Sequence, residues 1–562
     1  MIRWLLLSLI LQPLQSIAQD YERYSILITE FMADPTPSVG LPEYEFVEPT
    51  NISDTAIDLR HWTLSDESAS ALIRNSYLLK PGQRIILCPS AAAAHYAVYG
   101  DVLGLTGFPS LNNDADHLIL RDPSGQVIHA LAYTIAWYSN GLKSAGGWSL
   151  EMSDMRNPCS GASNWLASTD PSGGSPGRNN AVARDNPDLQ PPGLSGAYVS
   201  DSLTLLLFFD EPVPLKEGTP QIQLADYTGS SLSVHTLEPF HKWVEVGLSK
   251  PLERNTIYTI SVTGFRDCAG NLIGLSNSIR AGLAEMPLAG EVRINEILFN
   301  PRSGGADYVE ILHTGGSAFN LADLYLSNGT GTYTRFSEQP RLFFPGDYIA
   351  LTSDQENIAQ EYTIRFDGSL LQAGKLPSFP DDQGYVVVAD QQGNVLDELR
   401  YTEKMHSPWI KDANGVALER IDPAIPAARP DNWSSASSTA GYGTPGYRNS
   451  QFGTSTSASG ELSIEPAVFS PNGDGINDFT RINYRFEESG WHGMLQLYSA
   501  AGDKVADLMP NAALGRSGAV IWNGMSAQGK KITNGLYVII LKAYHSSGRT
   551  LKKMQAVVIT SQ

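Results

Sequence analysis

The sequence predicts an all-β chain of tandem β-sandwich modules joined by short linkers. Three observations point there. The 562 residues include 51 Gly, 34 Pro and 24 Tyr but only 17% charged residues, a balance that suits strands and turns. Short apolar runs are bounded by Pro-Gly and Asp/Gly turns, with no long stretch of 3.6-residue period. The chain also repeats itself at an offset of 262–269 residues. At roughly 100–200 residues per domain, the length allows about three to five such units.

Composition removes several function classes. A formal net charge of −20 disfavours nucleic-acid binding, which needs Lys and Arg to neutralise phosphates. Three cysteines exclude a disulfide-built scaffold and a Cys-rich zinc protein. The ten His are scattered, with no His pair four residues apart and no H-E-x-x-H, so a metal hydrolase is unsupported.

Residues 1–18 read as a secretory signal peptide. Arg3 supplies a basic start, Trp4 to Leu11 is apolar, and Ser16-Ile17-Ala18 ends in small residues before Gln19. The run is too short to span a membrane, and no later run approaches ~18 apolar residues. No transmembrane span is therefore expected in the mature chain, which is expected to be secreted or held at the cell surface.

The repeat sets the organisation. Ile26-Leu27-Ile28-Thr29-Glu30 and Phe46-Val47-Glu48 return as Val292-Arg293-Ile294-Asn295-Glu296 and Tyr308-Val309-Glu310. Pro81-Gly82 returns as Pro345-Gly346, and Asn164-Trp165 as Asn432-Trp433. Ser175-Pro176-Gly177-Arg178-Asn179 is echoed by Thr444-Pro445-Gly446-Tyr447-Arg448-Asn449. So steady an offset over some 150 residues means a duplicated domain. Within each copy a hairpin is expected: His117–Leu120, a turn at Asp122–Gly125, then Gln126–Ile128, and again Tyr385–Val388, Asp390–Gly393, then Asn394–Leu396. The segment Ala91–Tyr99 allows at most one short helix.

These opening strands, Pro-Gly turns and closing Pro-Gly/Asn segments resemble the lamin-tail domain, over residues 24–180 and again over 289–450. The resemblance implies an immunoglobulin-like β-sandwich for each copy. Between them, Phe209-Asp210-Glu211-Pro212-Val213 and Asp267-Cys268-Ala269-Gly270-Asn271 resemble the bacterial Ig-like domain of surface-layer proteins, over 187–285. Residues 451–460 (QFGTSTSASG) read as a Ser/Thr/Gly linker. Beyond it, Ser470-Pro471-Asn472-Gly473-Asp474-Gly475-Ile476-Asn477-Asp478, then Trp522-Asn523-Gly524 and Gly535-Leu536-Tyr537, resemble the gliding-motility-associated, FlgD-like C-terminal domains of Bacteroidota, over 461–562. That resemblance implies delivery by Sec and then a type IX-like pathway, with the outer-membrane secretion machinery as partner. This last segment carries 10 Lys+Arg against 8 Asp+Glu, set apart from an acidic remainder. The fold class is thus all-β, four tandem immunoglobulin-like β-sandwich modules joined by short linkers, expected to behave semi-independently.

Few residues could carry chemistry. Glu30 and Glu48, with Glu296 and Glu310, recur in both copies. Paired carboxylates can be acid and base, but carboxylates at strand positions of a sandwich more simply hold a loop through backbone N–H groups. Asn472, Asp474, Asn477 and Asp478 offer hard oxygen ligands and are candidate calcium ligands, although the terminal Glu of an EF-hand loop is missing; their alternative is to cap their own turn. Asn112-Asn113-Asp114-Ala115-Asp116 is a weaker candidate of the same kind. Cys88 and Cys159 fall in one module and are a candidate disulfide. Gly173-Gly174-Ser175-Pro176-Gly177 matches the nucleophile-elbow pattern, and Gly441–Gly446 the dinucleotide pattern, but neither has the strand and helix its chemistry needs. Trp165 and Trp433 are expected in the core rather than as sugar platforms. Apart from calcium no cofactor is expected, and no catalytic residue. The expected function is a non-catalytic surface or secreted protein that adheres, binds or spaces, with a protein or glycan ligand the sequence leaves unnamed. An extracellular nuclease or phosphoesterase, or an accessory part of one, is the alternative.

Overall fold

A computed structural model of the chain describes residues 21–215, 220–274, 277–408, 410–453, 461–472, 477–526 and 529–560. The signal-peptide reading of residues 1–18 lies outside the described residues. The fold is all-β, in tandem immunoglobulin-like sandwiches, and no described helix is long and apolar enough to cross a membrane.

The first module packs a six-stranded sheet on a four-stranded one. The larger sheet runs Trp165–Ala167, Leu150–Met152, Ile26–Met32, Phe46–Asn51, Ile86–Pro89, Val102–Leu105. The smaller runs Val127–Thr134, Ala115–Arg121, Thr63–Ser65, Ser70–Leu72. The duplicate repeats this order. Its larger sheet runs Trp433–Ser435, Leu418–Arg420, Val292–Leu298, Tyr308–His313, Tyr348–Thr352, Leu370–Gln372. Its smaller runs Val395–Thr402, Gln383–Asp390, Leu324–Ser327, Tyr333–Arg335. Even the parallel pairing at the far edge recurs.

The expected hairpins form for a local reason. The Asp122 carboxylate accepts the amides of Ser124 and Gln126 at 2.8 and 2.9 Å, and Gly125 takes φ +91°. Asp390 does the same with Gln392 and Asn394, and Gly393 takes φ +84°. An aspartate that folds the turn onto itself, followed by a left-handed glycine, fixes the register of both hairpins.

Both faces of the larger sheets are buried, so every residue of Ile26–Met32 is buried rather than every second one. The inner face packs Ile28, Phe31, Val47 and Leu87 against the facing sheet, with Trp165 among them. The outer face packs Met32, Phe46, Ile86 and Cys88 under the short helix Ala93–Tyr96. In the duplicate, Trp433 lies in the inner core, while Leu298 and Tyr308 pack outward against Ile358 of the helix Gln355–Glu361. Each fully buried Leu, Ile, Val or Phe contributes about 1.5–3 kcal/mol relative to exposure, so the two layers together hold the sheet.

The Ig-like module between the two sandwiches alternates cleanly. Thr204–Phe209 buries Leu205, Leu207 and Phe209 against Val244 and Val246 and leaves the residues between them partly open. The last module pairs Glu461–Glu465, Thr480–Arg485 and Ser517–Trp522 in one sheet, and builds a five-stranded sheet around Gly535–His545.

Two features differ from the sequence expectation. The modules, expected to be semi-independent, are grouped into two compact units, 21–251 with 258–280, and 252–257 with 281–560. In the first, Arg23 Nη2 donates to the Pro239 carbonyl at 2.8 Å and Arg121 Nη1 to Glu238 Oε2 at 3.0 Å, docking the Ig-like module on the first sandwich. In the second, Arg516 N donates to the Ser450 carbonyl at 3.1 Å, and Gln451, assigned by the sequence to a linker, is 1% exposed. Residues 454–460 of that linker lie outside the described residues.

The second is a correction and concerns the disulfide. Cys159 pairs with Cys268, not with Cys88. Cys88 points from its strand into the apolar layer beneath the Ala93–Tyr96 helix, where burial pushes its thiol up to about 11. Cys159 lies in the loop facing the Ig-like module, where Cys268 sits in the Asp267–Asn271 turn and the Tyr24 hydroxyl lies 3.0 Å from Cys159 Sγ. The bridge spans 109 residues of sequence. Closing a loop of that size removes on the order of 4–5 kcal/mol of unfolded-chain entropy.

Peptide mapping without reductant is therefore expected to recover a Cys159–Cys268 peptide pair, with Cys88 alkylated only after unfolding. Cys159→Ser is expected to lower the melting transition of the first unit and leave that of the second in place. A recovered Cys88–Cys159 pair would contradict the assignment.

Candidate functional site

The residues that the sequence singled out as recurrent carboxylates come together as rows across the outer face of each larger sheet. Glu30 pairs in register with Glu151 on one side and Glu48 on the other. Glu296 pairs in the same way with Glu419 and Glu310. All six are 0% exposed. A bulge makes this possible. The register slips between Ile28 and Glu30, and between Ile294 and Glu296, so that the glutamate turns outward while the apolar residues on either side keep their faces.

Buried carboxylates need donors, and the closing loop supplies them. Ser175 N donates to Glu30 Oε1 at 2.8 Å, the Ser175 hydroxyl to Glu151 Oε1 at 2.8 Å, and Gly177 N to Glu48 Oε2 at 2.5 Å. Thr444 N donates to Glu296 Oε1 at 2.9 Å, its hydroxyl to Glu296 Oε2 at 2.7 Å and to Glu419 Oε1 at 3.1 Å, and Gly446 N to Glu310 Oε2 at 2.5 Å. Three successive glutamates thus grip one Ser/Thr-Pro-Gly turn. Its glycine is obligatory: Gly177 takes φ +76°, and a Cβ there would stand 2.0 Å from the Tyr99 carbonyl oxygen. The loop is finished by Asn180 Nδ2, which donates to the carbonyls of Thr29 and Met152 at 2.7 and 2.9 Å. Asn449 repeats this on Asn295 and Arg420. The counterpart of Asn449 is therefore Asn180, one residue beyond the Asn179 that the sequence comparison aligned.

Electrostatics follow from this burial. Desolvation first, then the neighbouring glutamates, hold Glu30 and Glu310 well above the usual carboxylate range. Burial raises Glu48 and Glu419 to about 7, and burial with Glu419 alongside raises Glu296 to about 8. These are perturbed groups of the sort active sites use, but the oxygens face loop donors instead of an open cleft. Ser175, the centre of the nucleophile-elbow pattern, is 1% exposed and donates to Glu151.

The candidate calcium loop is only partly described. Ser470 N donates to the Asn477 carbonyl at 2.8 Å and Asn477 takes φ +54°; Asn472 and Asp478 are described, and Asp474 lies outside the described residues. In the weaker candidate, Asp116 accepts the Asn112 amide at 2.9 Å, closing its own turn.

Sequence reasoning missed one grouping. Asp188, Glu211 and Asp267 bring one carboxylate oxygen each within 4.8 Å of one another. Burial, then Asp188 and Asp267, push Glu211 up to about 8. Asp267 is held by Asn271, whose amide N donates to Oδ1 at 2.8 Å and whose side chain donates to Oδ2 at 2.7 Å. An all-oxygen set is the donor type that hard cations take. Glu211 and Asp267 both sit in the quoted Ig-like motifs, so that much could have been found; Asp188 sits in a polar connector with no signal of its own.

The lamin tail domain family matches residues 20–134, and the CHU_C type IX secretion signal domain family matches residues 463–559; the chain carries both. No curated protein matches it. Among solved structures, the S-layer protein rSbsC(31–844) is 10% identical, with 66% of this chain laid on 54% of that one at a TM-score of 0.16. Dimeric latent PorU from Porphyromonas gingivalis is 11% identical, with 71% of this chain on 35% of that one, also at 0.16. A Ca2+-stabilized adhesin with which an Antarctic bacterium binds ice is 10% identical, with coverages of 95% and 99% at 0.12. This chain therefore spans about half the S-layer structure and about a third of PorU. Scores this low carry no functional argument.

Stability should record the carboxylate row of the second unit. The folded-state values of Glu296 and Glu419 lie above the unfolded value, so their stabilising contribution is complete below about pH 4.3 and is lost as pH rises through 7–8. Buried His313, His406 and His492, lowered by desolvation to about 4, act oppositely, destabilising as pH falls below about 6.5. Thermal melts are expected to peak near pH 6 and to lose on the order of a few kcal/mol by pH 9. Glu296→Gln is expected to flatten the alkaline limb and leave the acid limb intact; an alkaline limb unchanged in this variant would refute the assignment.

Proposed function

We propose that the chain is an exported, non-catalytic surface protein, carried out by Sec and then by the type IX secretion machinery through its last module. Its tandem sandwiches then adhere, bind or space at the cell surface. The observation that carries the reading is the type IX secretion signal domain at residues 463–559. Two features of the fold support it. The recurrent glutamates Glu30, Glu296 and Glu310 are tied to their own closing loops instead of converging on a cleft. The first two modules are also covalently joined, a feature suited to an oxidising compartment outside the cytoplasm. The outer-membrane secretion apparatus is the partner this reading requires.

Removal of residues 461–562 in a type IX-competent host tests it. The shortened chain is expected to accumulate in the periplasm while the full chain reaches the surface. Arrival of the shortened chain at the surface would overturn the delivery reading. Turnover of phosphoester, ester or glycoside substrates that Glu48→Gln or Glu310→Gln abolishes would overturn the non-catalytic one.

A further inference from the structure

Within the second compact unit, the second sandwich and the last module enclose a cleft of about 730 Å³. Its wall is unusual for a chain of net charge −20. It carries four arginines, Arg365, Arg448, Arg481 and Arg485, against one carboxylate, Glu461. We propose that this cleft binds a polyanionic glycan, a chain whose carboxylate or sulfate groups are spaced along neutral sugars.

The positions of the arginines follow from the fold. Arg481 and Arg485 alternate outward on the strand Thr480–Arg485, with Asn483 between them on the same face. The neighbouring strands place Ser463 and Ala519 beside Asn483, and Ser517 beside Arg485. Glu461 and Glu465 stand across from Arg485 and Arg481 in register, yet among the described residues neither forms an ion pair with them. From the opposite wall, the Arg365 guanidinium lies 4.0 Å over the Tyr447 ring and that of Arg448 lies 4.3 Å over Phe452. Arg448 also hydrogen-bonds Tyr348, and Arg481 Nε donates to Asn483 Oδ1 at 2.9 Å; with the planes so fixed, the remaining in-plane N–H groups face an oxyanion, the geometry in which arginine surpasses lysine. A cleft with low-dielectric walls also concentrates the field of like charges.

The remaining lining favours a glycan over a nucleic acid. Ser463, Asn483 and Ser517 present the mixed donors and acceptors that sugar hydroxyls need. Bases need open aromatic faces; Tyr447 and Tyr484 are 5% and 2% exposed, and Arg365 covers the Tyr447 ring. The acidic remainder of the chain repels a continuous phosphate backbone more than a sparsely charged polysaccharide.

The choice of a glycan as ligand rests on the surface location proposed above, but the test does not. Purified full-length chain is titrated with highly methyl-esterified pectin, dextran sulfate of low degree of substitution and neutral dextran at low salt. Binding to one or both charged polymers and none to dextran is expected; which of the two binds separates a carboxylated from a sulfated source. Arg481→Ala/Arg485→Ala is expected to weaken binding by about tenfold or more with an unchanged melting temperature, and 0.5 M salt to weaken it further. Arg74→Ala, an exposed arginine of the first module, is expected to bind like the parent. Binding that survives the double variant, that Arg74→Ala reduces equally, or that oligothymidylate exceeds with the same arginine dependence overturns the proposal. A chain that fails type IX export yet binds refutes only the delivery reading; an exported chain that ignores both polymers refutes only this one.

Discussion

The grip of three buried glutamates on a Ser/Thr-Pro-Gly turn is the interaction on which both large sandwiches depend. A carboxylate without water is tolerated only if other groups hydrogen-bond to it or a proton neutralises it. Here the closing loop supplies the donors, and in doing so covers the outer face of a sheet that would otherwise be half solvated. The bulge before the central glutamate, the left-handed glycine after the proline and the final asparagine on two strand carbonyls all serve that closure. The duplicate keeps the whole set while replacing Ser by Thr and most of the apolar residues around it, so what the two copies share is a hydrogen-bonding pattern.

Closure also determines how modules join. Gln451 extends the second loop by one more amide to Glu419, at 2.8 Å, and its side chain continues to the Leu514 carbonyl of the last module at 3.3 Å. The carboxylate row therefore lies close to the junction with the secretion module, and the same loop, from Thr444 to Phe452, lines the arginine cleft. In the first unit the junction is covalent instead, through Cys159 and Cys268, with Arg23 and Arg121 reaching across beside it. The two large sandwiches are thus built alike internally but docked by different chemistry.

Charge is distributed in a way that fits export and surface display. The body of the chain is strongly acidic, while the last module carries a slight positive excess and half of the arginine cleft.

Much of this was legible in the sequence. The fixed offset of the repeat, the Asp/Gly turns and the Pro-Gly punctuation specify strands, hairpins and a duplicated sandwich, because turn chemistry and strand pairing are local or nearly so. The recurrence of Glu30, Glu48, Glu296 and Glu310 marked them as structural partners of a loop. What the sequence could not decide was anything that joins residues distant along the chain. Cys159 had a nearer partner by sequence in Cys88, but the side of the strand on which Cys88 falls, and the docking of the next module, are set by packing. Asp188 finds Glu211 and Asp267, Glu151 and Glu419 complete their rows, and four arginines scattered between positions 365 and 485 meet in one cleft, only after the sheets have stacked. The sequence by itself determined the modules; only tertiary structure, through long-range contacts whose geometry no local pattern encodes, decided which faces and charges meet.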